Sequence, residues 1–153
     1  MLNYRITKYN PIYRNSKGHY TLDEWTSFSD IGNLKYNLSL EKYLEIENAY
    51  LEVIKKVLKL NKATNFIFKN VENNTSFQVP KESENADKII EIATKCLQEE
   101  LWCKIMSPYK LFVHFGYDYY IYIGSRKELP VEIISEIEKL GLFVELIDKF
   151  PYT

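Results

Sequence analysis

The chain has 153 residues, enough for one domain whose core removes roughly 68–70% of the unfolded chain's surface from water. Its 46% hydrophobic and 27% charged residues, with 5 Gly and 5 Pro, exclude a disordered chain, a collagen-like fibre and a low-complexity linker. Lys and Arg (20) against Asp and Glu (21) leave a net charge of −1, which gives no global basic field for nucleic-acid phosphates; the outlier is the 15% aromatic content, with 13 Tyr.

The stretch from Tyr4 to Tyr9 has strand chemistry. Residues 10–38 fit neither the helical nor the strand period, and a segment of that length is either functional or carries short elements of its own. Within it Asp23, Ser29 and Asp30 are expected to cap local turns, while Trp25 either plugs the open side of the sheet or meets a partner. Over residues 40–60 apolar side chains recur at spacings of three and four, predicting a helix with Ser39 as N-cap, a Leu38–Tyr43 staple and a stop at Asn61. Its early glutamates and late lysines suit the helix macrodipole.

A strand over Asn65 to Val71 leads to a second predicted helix from about Asn85 to Glu100, with Ala86, Ile89, Ile90, Ala93 and Leu97 on one face. Leu101 to Met106 reads as a strand. LFVHFGYDYYIYIGS then reads as two strands, Leu111 to Phe115 and Tyr119 to Gly124, folded about Gly116, Tyr117 and Asp118; one strand kinked by a bulge at Gly116 is the alternative. Alternation puts Leu111, Val113 and Phe115 on one face and Phe112 and His114 on the other, while Tyr119, Ile121 and Ile123 alternate with Tyr120 and Tyr122. A third helix follows Pro130, expected at its first position, and closes at Gly141 before a last strand over Leu142 to Ile147. The order β-α-β-α-β-β-α-β predicts an α+β fold, a mainly antiparallel sheet with about three helices packed on one face, as a single domain over residues 1–153.

The first residues lack an apolar signal core and no apolar run nears the length of a membrane span, so the expectation is a soluble cytoplasmic protein with Cys96 and Cys103 as free thiols. The wealth of Lys, Asn, Ile and Tyr matches the codon bias of an AT-rich bacterial or phage genome. No Cys/His pair has zinc spacing, and no glycine-rich phosphate loop or nucleophile elbow is present, so neither metal nor cofactor is expected. His114 with Asp118 is the one pair that could act as base and orienting acid; a histidine on an outer strand face beside a turn-fixing aspartate is the plainer reading, and no enzymatic activity is expected.

Tyr117, Tyr119, Tyr120 and Tyr122 crowd one ribbon, and since one face alone can join the core, the others are expected to meet solvent or a partner. Tyrosine concentrates at binding hot spots because it gives wide contact area with few torsions to freeze, although cross-strand aromatic pairing explains the same residues without a partner. Charge is uneven as well. Residues 1–22 sum to +4 and residues 128–148 to −5, so an acidic third helix bearing Glu132 and Glu136 is expected beside the aromatic face, where it would steer a basic partner such as a nuclease toxin; the same glutamates also fit the wet side of an amphipathic helix.

Two strings, TKYNPIYRNSKGHYTLDEWTSFSDIG (7–32) and ELWCKIMSPYKLFVHFGYDYYIYIG (100–124), resemble a family of small uncharacterised proteins, mostly from low-GC Gram-positive bacteria, that share an EWTS-x-SDIG opening and a HFGYDYY-x-YIG hairpin. In general character that family is similar to immunity proteins, the antidotes of polymorphic toxins. The resemblance implies a non-enzymatic binder, monomer or homodimer, that occludes a cognate toxin, with Trp25, Ser27, Ser29, Asp30, Trp102, His114, Tyr117, Asp118, Tyr120 and Tyr122 as candidate contact positions. The alternative is a small-ligand protein, such as a binder of a signalling nucleotide, in which Trp25, Tyr120 and Tyr122 stack on a base and Arg5 or Arg14 meets a phosphate.

Overall fold

The computed structural model describes residues 1–149. Among these residues the chain forms a seven-stranded antiparallel sheet and three α-helices. The strands are β1 (Leu2–Thr7), β2 (Phe66–Asn73), β3 (Glu82–Ser83), β4 (Leu101–Ser107), β5 (Leu111–Phe115), β6 (Ile121–Ser125) and β7 (Phe143–Ile147). The helices are α1 (Leu40–Leu60), α2 (Ala86–Leu97) and α3 (Val131–Lys139). The spatial order is β3-β2-β4-β5-β6-β1-β7. The α+β architecture and the order of the elements agree with the sequence reading, except that the predicted string of elements shows two strands where β4, β5 and β6 follow one another; the further addition is β3, a two-residue edge strand too short to carry a periodic signal.

Local chemistry explains the boundaries. Ser39 Oγ accepts from the Lys42 N–H at the start of α1, and Asn61 ends it. Asn85 caps α2 through the Asp87 N–H. Pro130 is the N-cap of α3 rather than its first residue, and Gly141 follows the helix at φ +87°, a region that glycine enters without steric cost. β5 and β6 pair antiparallel from Leu111↔Ser125 to Phe115↔Ile121, which establishes the hairpin over the kinked single strand.

The helices cover one face of the sheet. Tyr50, Val53, Ile54 and Val57 of α1, Ile89 and Ile92 of α2 and Ile137 of α3 are fully buried against Ile6, Ile105, Val113, Ile121 and Ile123. The alternate positions of the same strands form a second face that no helix covers. One cross-strand row on that face holds Lys69 opposite Lys104, then His114 opposite Tyr122, Tyr122 opposite Arg5, and Arg5 opposite Glu145. Because α3 lies on the covered side, the expected juxtaposition of its acidic residues with the Tyr120/Tyr122 face does not occur. Among the described residues no helix is long and apolar enough to cross a membrane.

Candidate functional site

The hairpin turn organises the site. Asp118 and Tyr119 adopt φ +59° and +65°, a left-handed pair that hairpin turns normally fill with Asn-Gly. For residues with a Cβ this costs roughly 1–2 kcal/mol each. Two buried hydroxyls hold the strained backbone: Tyr9 OH donates to the Asp118 carbonyl at 2.5 Å, and Tyr50 OH donates to the Tyr119 carbonyl at 2.9 Å while accepting from the Lys8 N–H at 2.8 Å. The Gly116 N–H donates to the Tyr120 carbonyl at 2.9 Å and closes the loop. Gly116 itself is required by packing: a Cβ there would lie 2.7 Å from the Tyr122 ring.

The four tyrosines of the ribbon meet different fates. Tyr119 is buried, its OH donating to Tyr43 OH, which donates on to the buried Glu47 carboxylate. Burial drives the Tyr119 phenol pKa far above its ordinary value. Tyr122 is buried on the uncovered face, and Tyr120 is half-buried with its OH accepting from Arg14 Nη1 at 2.8 Å. Tyr117, at the tip, is 80% exposed. The expected Tyr120/Tyr122 doublet is therefore no projecting patch, since both rings are spent largely on contacts within the chain.

Beside the turn runs a groove of about 880 Å³. Trp102, Lys104, His114 and Tyr120 line it on the uncovered face, Asn70 and Glu72 on the tail of β2, Leu97 and Glu99 at the end of α2, and Tyr117 and Asp118 at its lip. Trp102 Nε1–H donates to the Phe115 carbonyl at 2.7 Å, fixing the indole in the wall. His114 is enclosed by rings: Trp102 edge-on at 5.3 Å, Phe112 stacked at 6.1 Å and Tyr122 at 6.1 Å between centroids. That enclosure leaves it 3% exposed on a face without a helix. Burial, and next the charge of Lys104, push its pKa down to about 4, so the imidazole is neutral at pH 7. A carboxylate partner would move the pKa upward instead. His114 and Asp118 both line the groove, and Asp118 is not among the groups that shift the His114 pKa. Among the described residues Lys69 and Lys104 face each other with no ion pair to either.

The opening motif serves to seat its own segment. Trp25 packs on Tyr43 and Tyr119 at 5.6 and 5.1 Å, so it plugs the corner between α1 and the hairpin turn and not the uncovered face. Glu24 pairs with the Lys8 ammonium, which lies over the Tyr9 and Trp25 rings at 4.3 and 4.1 Å. Asp30 accepts from the Thr26 and Ser27 N–H groups, and the Ser27 and Ser29 hydroxyls bond to each other, as turn caps. Part of the contrast between basic start and acidic end is met inside the molecule, because Glu145 receives Arg5 through two bonds of 2.9 and 2.8 Å and Arg14 at 3.3 Å. On α3, Glu132 is exposed and Glu136 pairs with Lys56 at 2.7 Å.

Sequence reasoning missed Asn70, Glu72, Lys104 and Glu99 as groove residues. Asn70 (φ +54°) and the register shift between Lys69 and Glu72 were signalled only by the loss of alternation after Phe68. Among the described residues no three His, Cys, Asp or Glu side chains are grouped to hold a metal ion. Comparison with protein-family models, with curated proteins and with solved structures finds no match to this chain.

Proposed function

We propose that the protein is a non-enzymatic binding module of immunity type, which neutralises a cognate bacterial toxin in the cytoplasm by docking onto it with the hairpin end of the sheet. The observation that carries this reading is the turn itself: a strained left-handed pair, held by two buried tyrosine hydroxyls, that presents Tyr117 at the lip of an aromatic groove. Backbone strain persists where surrounding structure over-determines it, and it concentrates at sites of recognition. A rigid, exposed tyrosine beside a concave wall formed by Trp102 and Tyr120 is the anatomy of an interface anchor with its rim. Relative to the expectation from sequence, the docking surface loses Glu132 and Glu136 and gains Lys104 and the groove.

Co-expression with the product of the adjacent gene, followed by purification on a single tag, tests the proposal. It predicts a stoichiometric complex that cancels the neighbour's toxicity and that Tyr117→Ala weakens; toxicity unaffected by co-expression of the wild-type chain would refute it.

The groove favours a second reading, since about 880 Å³ lies within the range of small-molecule sites. Trp102, His114 and Tyr120 would then enclose a planar ligand. Arg5 and Arg14 are less suited to its phosphate than the sequence implies, because both guanidiniums are bound to Glu145. Titration calorimetry with nucleotides separates this reading from the first.

A further inference from the structure

Cys96 sits in the last turn of α2 and Cys103 is the third residue of β4. Between them the chain reverses in one tight turn: Glu99 adopts φ +60° while its N–H donates to the Cys96 carbonyl, and the Glu100 N–H reaches back to the Lys95 carbonyl. The reversal brings the two sulfurs to 4.0 Å. Cys103 is fully buried, whereas Cys96 is 7% exposed and forms part of the groove wall. From that separation, an approach of about 2 Å reaches disulfide bonding length.

We propose that Cys96 and Cys103 form a dithiol–disulfide site that small disulfides such as glutathione disulfide reach through the groove. The hydrogen bond to Cys103 and burial hold the Cys96 thiol well above its ordinary pKa, so the thiolate is a minor form and the attack is slow. That thiolate, its proton released to solvent, attacks one sulfur of glutathione disulfide; that S–S bond breaks, a mixed disulfide forms on Cys96, and one glutathione leaves and takes up a proton. Cys103, deprotonated in turn, attacks the Cys96 sulfur, and the second glutathione leaves in the same way. Two protein thiols are oxidised to one disulfide while one glutathione disulfide is reduced to two glutathiones. The cross-link ties the end of α2 to β4 next to Trp102, so the redox state sets how firmly that wall of the groove is held. The site rests on the sulfur geometry alone and is independent of what the groove binds.

The test equilibrates the native full chain with glutathione disulfide, quenches with acid, unfolds, alkylates with N-ethylmaleimide and measures intact mass. The expected result is a mass lower by two hydrogens, loss of both alkylatable thiols, and recovery of both on reduction. Cys103→Ser is expected to stop at one glutathione on Cys96. Retention of both alkylatable thiols in the wild-type chain, or a glutathione adduct that accumulates on it without closing, would overturn the proposal. The wild-type mass decides the matter even where the serine variant does not fold.

Discussion

Replacing Tyr50 by phenylalanine removes one oxygen atom from the middle of the molecule and bears directly on how the hairpin turn is held. The Tyr50 ring is fully buried, and its hydroxyl donates to the Tyr119 carbonyl while accepting from the Lys8 N–H. Phenylalanine keeps the ring packing but strands both backbone groups away from water. At about 1–3 kcal/mol for each of the two unsatisfied buried groups, the loss amounts to about 2–6 kcal/mol. With a urea m-value of about 2 kcal/mol/M for a domain of this size, the unfolding midpoint falls by about 1–3 M. Equilibrium urea denaturation followed by tyrosine and tryptophan fluorescence measures this shift, with Tyr109→Phe as the control because Tyr109 is 85% exposed. Hydrogen exchange at the Gly116 amide reads the turn separately and is expected to accelerate, since that N–H closes the loop onto Tyr120. A midpoint shift below about 0.3 M with unchanged exchange would refute the reasoning, because the hydroxyl would then not be what holds the left-handed pair.

Further outcomes follow from the same contacts. Gly116→Ala places a Cβ against the Tyr122 ring and is expected to cost about 1–3 kcal/mol by overpacking, read as a lowered melting temperature. Glu145→Gln weakens the hold on Arg5 and Arg14, whose shared carboxylate is 17% exposed, and is expected to cost about 2–3 kcal/mol in urea denaturation. For His114, the folded pKa of about 4 lies below the unfolded value near 6.5, so the unfolded state binds more protons between those pH values and stability rises with pH there. The stability present above pH 6.5 is therefore lost as pH falls toward 4, by up to about 3 kcal/mol, and His114→Gln flattens that part of the profile. A variant whose stability keeps the wild-type slope over that window would show that His114 is not the group titrating.

How much of this was legible in the sequence depended on the range of the interaction. The α1 boundaries, the hairpin and the alternation of Ile121 and Ile123 against Tyr120 and Tyr122 follow from local periodicity and capping, and the structure agrees. Single residues with one strong local preference, Ser39 and Gly141, were readable for the same reason. What escaped was set by partners far along the chain. Tyr122 reads as a projecting ring until His114, Phe112 and Trp102 are brought beside it, and Glu145 reads as part of an acidic end until Arg5 and Arg14 reach it from more than a hundred residues away. The opening segment was indecipherable on its own because its order comes from contacts with Tyr43, Tyr119 and Lys8 rather than from a repeat. The groove has no sequence signature, being assembled from β2, α2, β4 and the hairpin.

The affinity of the wild-type chain and of Tyr117→Ala for the adjacent gene's product, measured by titration calorimetry, bears most directly on the role assigned to the pinned turn. Loss of an interface anchor of this kind is expected to weaken binding by about ten- to a hundredfold with the fold retained, because Tyr117 is 80% exposed. Equal affinities for the two proteins would contradict the account.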